Sequence, residues 1–266
     1  MDLKRKRILL TGATGGIGSA LAIRLAKQGA YLILVGRKQT KLDALKNSLE
    51  SASEHLCIRA DLATDGIETI NTACLNWKNQ GICIDIVINN AGTNTFAYLA
   101  QQTAVDITRE TQLNMLAPIL LSQHALSWLK RPSIILNIGS TFSAIGYPGY
   151  STYCATKAAI HRFSEALQRE LTGTGIQVLY LAPRATDTKL NDQRVTELNT
   201  LLGNKTDSPE YVASKIISTL KAETKYRWLG WPEKLFVRLN QLLPSVVSSS
   251  IRKQHTRITE FASKSL

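Results

Sequence analysis

The chain has 266 residues, of which 44% are hydrophobic and 20% charged, a globular balance that excludes a disordered or fibrous protein. Its net charge of +12 is concentrated at the ends, since residues 1–7 and 225–266 hold most of the excess of Lys and Arg. The body between them is nearly neutral, so the basic face that nucleic acid requires is not expected.

No apolar run approaches the ~18 residues of a membrane span, and the basic start MDLKRKRILL lacks the apolar core and cleavage site of a secretory signal. Cys57, Cys74, Cys83 and Cys154 show no C-x-x-C spacing, so a reducing, cytoplasmic setting without framework disulfides or a metal site is expected. The chain ends Lys-Ser-Leu rather than Ser-Lys-Leu and is not read as a peroxisomal address.

In chain order, unbroken apolar runs predict strands over 7–10, 31–35, 56–60, 85–89, 133–139 and 177–181, with a weaker seventh over 226–229. Helical stretches fall between them, over 17–28, 40–48, 67–77, 107–129, 153–171 and 209–221. Unbroken runs are the mark of parallel strands covered on both faces. The expected fold is therefore α/β: a single doubly wound, Rossmann-like domain with a mostly or wholly parallel seven-stranded sheet and helices on both faces. Residues 1–224 form this unit and 225–266 a basic, amphipathic extension.

The first strand runs into Thr11-Gly12-Ala13-Thr14-Gly15-Gly16-Ile17-Gly18, which opens a helix. Glycines at 12, 16 and 18 permit a tight turn and a close approach of backbone to a pyrophosphate. The helix N-terminus then offers unpaired N–H groups and a positive dipole end. An NAD site would place a carboxylate at the end of the second strand; here stand Arg37 and Lys38. A guanidinium can grip a 2′-phosphate bidentately, so NADP(H) is preferred over NAD(H).

Further along, Ser140 follows the fifth strand, where ligands of an open α/β sheet bind. Tyr153 and Lys157 are four apart and share one helix face. An ammonium beside a phenol favours the phenolate and predicts a lowered Tyr153 pKa.

The segment 11–18, Asn89-Asn90-Ala91-Gly92, Ser140 and Tyr153-x-x-x-Lys157 stand in the order and at about the spacing of the short-chain dehydrogenase/reductase family, which this chain resembles over roughly residues 5–222. The resemblance implies an NADP-dependent oxidoreductase acting on a small-molecule carbonyl or alcohol. Tyr153 serves as acid/base, Ser140 positions the substrate oxygen, and Lys157 grips the nicotinamide ribose and connects through Asn114 to solvent. It further implies cofactor contacts from Gly12, Thr14, Gly15, Gly16, Ile17 and Gly18, with Asp61 and Leu62 at the adenine and Asn90, Ala91 and Gly92 at the adenosine ribose. Pro183, Thr186 and Thr188 are assigned to the nicotinamide side, and Asn89 to tying the fourth strand to the glycine turn. Assembly as a homodimer or homotetramer is expected on the same ground.

The family's usual Pro-Gly is here Pro183-Arg184; Arg184 could crowd the pocket, meet an anionic substrate or face solvent, and it is left out of the site. Residues 185–207 occupy the place of a substrate lid. In the tail, Leu235, Leu239, Leu242 and Val246 recur at helical spacing beside Trp228 and Trp231, with Pro244 able to break the helix. Packing on the protein's own body or a sister subunit and anchoring at a membrane surface both fit that pattern. An anchor would favour a lipophilic substrate such as a 3-oxoacyl chain, a retinoid-like or a steroid-like ketone. From a different class, a nucleotide-binding regulator or scaffold without turnover shares the glycine turn but has no need of a tuned phenol.

Overall fold

Residues 1–263 are described by a computed structural model; the Lys-Ser-Leu end lies outside the described residues. The predicted runs become β1 (Arg7–Thr11), β2 (Tyr31–Gly36), β3 (Leu56–Arg59), β4 (Ile84–Asn89), β5 (Leu129–Ile138), β6 (Ile176–Ala182) and β7 (Tyr226–Trp228). All pair in parallel in one sheet of order β3-β2-β1-β4-β5-β6-β7. The strand order reverses between β1 and β4, and the crevice at such a switch point is where this architecture binds ligands.

Two apolar layers explain why the runs are unbroken. Ile8 and Leu10 of β1 and Leu32 and Leu34 of β2 point to one face, into a core shared with Leu21, Leu25, Ile216 and Leu220. Leu9, Ile33 and Val35 point to the other, against Ile70, Leu121, Ala125 and Trp128. Successive side chains alternate between faces, and since helices cover both, every position is apolar. The covering helices on the first face are α1 (Gly16–Ala26), α2 (Gln39–Asn47) and the later Pro209–Ala222; on the second lie α3 (Gly66–Asn79) and the segment before β5.

That segment departs from expectation. The helix predicted over 107–129 is α4 (Ala104–Thr111), a π-helical turn over Gln112–Leu116, and α5 (Ala117–Trp128). Leu129 already pairs with Ile84 at the start of β5, so β5 begins earlier than its apolar run suggests. The π turn inserts one extra residue per turn, a device frequent at functional sites, and it carries Asn114.

After β6 come α6's successors in chain order; α6 itself is Ser151–Glu170, and α7 (Gln193–Leu201), α8 (Pro209–Ala222), α9 (Glu233–Leu242), α10 (Pro244–Arg252) and α11 (His255–Ser263) follow. The helix α7 lies within the 185–207 loop and is started by Asp192, whose Oδ1 accepts from the Val195 N–H at 3.0 Å, a side-chain cap. Asp187 N donates to Asp207 O and Asp207 N to Ala185 O, each at 2.9 Å, so the two ends of the loop are pinned together. As its sequence suggested, Pro244 divides α9 from α10.

The extension packs on its own body: Ile258, Phe261 and Ala262 of α11 are buried with Val195 and Leu198 of α7 and with Phe96 and Tyr150. Asn240 Nδ2 donates to Ala144 O at 2.8 Å, and the Tyr98 and Thr259 hydroxyls lie 2.8 Å apart. The strand β7 lies just past residue 224, so the start of the predicted extension completes the sheet.

Candidate active site

The β1–α1 turn is shaped by backbone contact. Gly12 has φ +64°, and a Cβ there would sit 2.8 Å from Ala91 Cα. A Cβ on Gly18 would stand 2.1 Å from Gly12 O, so only glycine lets the helix start fold back on the turn. α1 has Gly15 at its N-cap, no side-chain cap and no acid in its first turn. Its N-terminal N–H groups are thus left for an anion.

The turn is tied to β4 by Asn90, not by Asn89 as expected. Asn90 Nδ2 donates to Thr11 O at 3.0 Å and to Gly12 O at 3.3 Å, and the Asn90 and Ala91 N–H groups donate to Thr11 Oγ1 at 2.9 and 3.0 Å. Asn89 instead donates to Asn137 Oδ1 at 2.7 Å, joining β4 to β5. Side chains alternate along β4, so neighbouring asparagines must serve different partners.

At the carboxyl end of β5, Ser140 is buried and its Oγ accepts from Phe142 N at 3.2 Å. Tyr153 and Lys157 project from the first two turns of α6; Lys157 Nζ donates to Ile138 O at 3.1 Å and stands 5.8 Å from the Tyr153 ring centroid. Asn114 is spanned by the protein on both sides of its amide, with Oδ1 accepting from Thr93 N at 2.9 Å and Nδ2 donating to Thr93 O at 2.8 Å and Thr156 Oγ1 at 3.3 Å. A Cβ on Gly92 would lie 3.2 Å from Asn114 Oδ1 and 3.7 Å from Lys157 Nζ. Those two polar groups therefore share the small space over Gly92.

The electrostatics differ from the sequence expectation. Burial raises the Tyr153 phenol above its ordinary pKa, with Ser140 pulling the other way, so the phenol is held protonated rather than as phenolate. Burial also lowers Lys157 to about 8. Facing it is a residue the sequence reading missed: Glu110 on α4, 1% exposed, with neither oxygen in a well-formed hydrogen bond among the described residues. Burial raises its carboxyl to about 7 against the pull of Lys157 and Thr95.

The remaining predicted positions divide. Ile17, Asn90, Gly92, Ser140, Tyr153, Lys157, Pro183, Thr186 and Thr188 line one cavity of about 320 Å³. Gly16 abuts Thr188, since a Cβ there would lie 2.6 Å from Thr188 Cγ2, and Thr14 Oγ1 lies 3.4 Å from the Cβ position of Gly36 at the end of β2. Arg37 and Lys38 stand exposed just after β2. Asp61 follows β3, accepts from Ala63 N at 3.0 Å and faces Arg109 at 3.9 Å, whereas Leu62 is buried in the core. None of these six (Thr14, Gly16, Arg37, Lys38, Asp61 and Leu62) lines the cavity.

Comparison with known proteins decides the family. The family model described as short chain dehydrogenase matches residues 6–199. The chain belongs to the short chain dehydrogenase family. It is 30% identical over 234 residues to the 3-oxoacyl-acyl-carrier-protein reductase FabG of Rickettsia bellii (strain RML369-C), covering 85% of this chain and 93% of the relative. It is similar to a short chain dehydrogenase from Burkholderia cenocepacia J2315 in complex with NADP, with a TM-score of 0.78, 26% identity, and coverage of 88% of this chain and 100% of the other. A short chain dehydrogenase/reductase from Burkholderia phymatum in complex with NAD shares the fold, with a TM-score of 0.80 at 18% identity over 92% of this chain and 96% of that one. This protein is thus a member of an oxidoreductase family that uses a nicotinamide cofactor and acts on small molecules.

In this short chain dehydrogenase the cavity is walled by two groups of side chains. Phe96, Phe142, Tyr147 and Tyr150 line one side, a cluster that the Tyr147, Tyr150 and Tyr153 spacing signals on inspection. Phe236, Val247 and Ile251 of the C-terminal extension line another; nothing local marks them, because only the folding-back of α9 and α10 brings them there. Arg184 does not face solvent: its Nη2 donates to Asp207 Oδ1 at 2.8 Å and its Nη1 to Glu233 Oε1 at 3.3 Å.

Proposed function

We propose that this short chain dehydrogenase is an NADP-dependent carbonyl reductase or secondary-alcohol dehydrogenase for a lipophilic substrate. The observation that carries the reading is one cavity at the carboxyl ends of the strands, lined by Ser140, Tyr153 and Lys157 together with Ile17, Gly92, Thr186 and Thr188. An uncapped α1 N-terminus and a glycine turn that no Cβ could enter fit the phosphates of a dinucleotide. When bound, that cofactor supplies the hydride for the carbonyl carbon.

The chain's own residues supply the rest. Tyr153, kept protonated by burial, is in the form that donates a proton to a carbonyl oxygen. Ser140 holds that oxygen and stabilises its developing charge. Lys157 carries a positive charge beneath the reacting groups and, with Asn114 and Thr93, leads the proton path away from Tyr153.

Three features support the finer reading. Arg37 and Lys38 stand where a 2′-phosphate would lie, and the Burkholderia cenocepacia relative was solved with NADP. Aromatic and aliphatic walls favour an apolar chain, and the Rickettsia relative bears the name of a 3-oxoacyl reductase. Oxidation of NADPH in the presence of 3-oxoacyl thioesters, retinoid-like and steroid-like ketones tests it; no turnover with any carbonyl favours the scaffold alternative. With Arg37→Ala and Lys38→Ala together, the KM for NADPH is expected to rise about tenfold while that for NADH stays put, since a charge-assisted hydrogen bond contributes about 1.5–3 kcal/mol. Equal effects on both cofactors would remove the assignment.

For the cytoplasmic protein proposed here, the outer side of the extension supports peripheral contact to an anionic membrane surface. Of the stripe at helical spacing, Leu242 is 77% exposed, Val246 53% and Leu235 45%, beside Leu243 at 53% and Trp231 at 69%. Exposed Lys234, Arg238, Arg252 and Lys253 surround them, the pairing of apolar ridge and positive charge that such a surface attracts. Leu242→Asp with Leu243→Asp is expected to abolish co-sedimentation with phosphatidylserine vesicles. Absence of sedimentation by the unaltered protein, or burial of the ridge in the homodimer or homotetramer expected of the family, would refute the contact.

A further inference from the structure

Arg184 stands where three separate segments meet. It follows Pro183 at the end of β6, Asp207 closes the 185–207 loop, and Glu233 opens α9. Arg184 Nη2 reaches Asp207 Oδ1 at 2.8 Å, while Nη1 spans Glu233 Oε1 at 3.3 Å and Oε2 at 3.4 Å. The side chains of Arg184 and Asp207 are only 14% and 7% exposed. Two carboxylates flank one guanidinium, so the cluster has no positive charge left over with which to attract an anionic substrate.

The backbone is shaped around this cluster. Gly230 has φ +91°, and a Cβ on it would lie 2.5 Å from Glu233 Oε2 and 2.8 Å from Arg184 Cδ. Any other residue there would be strained and would push the pair apart. Arg184 and Glu233 also line the cavity, between Leu190 and Val195 of the loop on one side and Phe236 and Val247 of the extension on the other. A planar, permanently charged fork suits a three-way junction that a lysine would fill poorly.

We propose that Arg184 is a specificity-determining positioning residue that clamps the 185–207 loop, through Asp207, to the C-terminal cap of α9 and α10, through Glu233, and so fixes the apolar wall that receives a long substrate. The proposal rests on the lipophilic-substrate reading, but the clamp itself can be tested without turnover.

Three measurements on the full-length protein test it, with Arg184→Gly cutting both arms and Glu233→Ala cutting only the cap arm. Amide hydrogen exchange over 233–252 is expected to accelerate at least tenfold in both variants, with β1, β4 and β5 unchanged. The Kd for Nile red, an apolar probe of the cavity, is expected to rise about tenfold. The KM for a 3-oxododecanoyl thioester is expected to rise about tenfold relative to a 3-oxobutanoyl thioester, with the effect on KM rather than kcat, and Arg184→Lys should recover part of it. Unchanged exchange over 233–252 overturns the clamp. Faster exchange with an unchanged Nile red Kd overturns its role in specificity. Failure of the unaltered protein to reduce any carbonyl counts against the proposed function alone, because exchange and probe binding still report on Arg184.

Discussion

Tyr153→Phe is expected to lower kcat for carbonyl reduction by about 10²–10⁴-fold, the range that a positioned general acid contributes, with the Kd for NADPH within about twofold of the unaltered protein. The substitution removes one hydroxyl and leaves the ring. That ring packs at 5.8 Å from Tyr150 and edge-on at 6.3 Å from Phe142, so the wall of the cavity survives. Among the described residues, the phenol makes no hydrogen bond to the glycine turn or to α1. Steady-state kinetics beside a fluorescence titration with NADPH separate the two quantities. Turnover within tenfold of normal would move the proton-donor role elsewhere, and loss of NADPH binding would mean the hydroxyl holds the cofactor instead.

For Glu110→Gln, thermal unfolding is expected to match the unaltered protein near pH 4.5 and to show a gain of about 3 kcal/mol near pH 8. The size follows from a carboxyl raised from 4.5 to about 7, at about 1.4 kcal/mol per pKa unit. Between those values the folded chain holds a proton that the unfolded chain releases, so stability falls as pH rises through that window and stays low above it. An amide cannot ionise and removes the slope. In a chain of this size the gain corresponds to a rise in Tm of roughly 6–12 °C at pH 8.

Lys157 behaves in the opposite sense. Lowered from 10.5 to about 8, it destabilises the fold fully below pH 8 and progressively less as pH rises toward 10.5. Glu110 is the acid that raises the Lys157 pKa against burial, so its removal is expected to shift the alkaline fall of kcat/KM to lower pH. Identical pH–stability curves for the two proteins would show that Glu110 is not held neutral by burial.

Much of the site was legible because its signals are local. A strand running into a glycine turn, and a tyrosine and lysine one helical turn apart, depend on periodicity and backbone freedom within a few residues. Ser140 was found the same way, by its place after an apolar run. The charge states were not legible: Tyr153 was expected to be lowered by Lys157, yet burial raises the phenol and the opposing pull comes from Ser140. Glu110 gave no signal at all, since an acid on an amphipathic helix reads as solvent-facing until the packing of α4 against α6 encloses it.

By itself, the sequence determined the layered α/β fold, the glycine turn between the first strand and the first helix, and the face on which Tyr153 and Lys157 stand, because each follows from the pattern of apolar residues and turn formers along the chain. Tertiary structure alone decided that Asn90 rather than Asn89 braces the turn, that a π turn presents Asn114, that the leucine stripe of the extension faces outward, and that Arg184 joins the loop to the cap. Each of those depends on segments far apart in the chain meeting in space, and contacts of that kind are fixed by the packing of the whole fold rather than by neighbours in sequence.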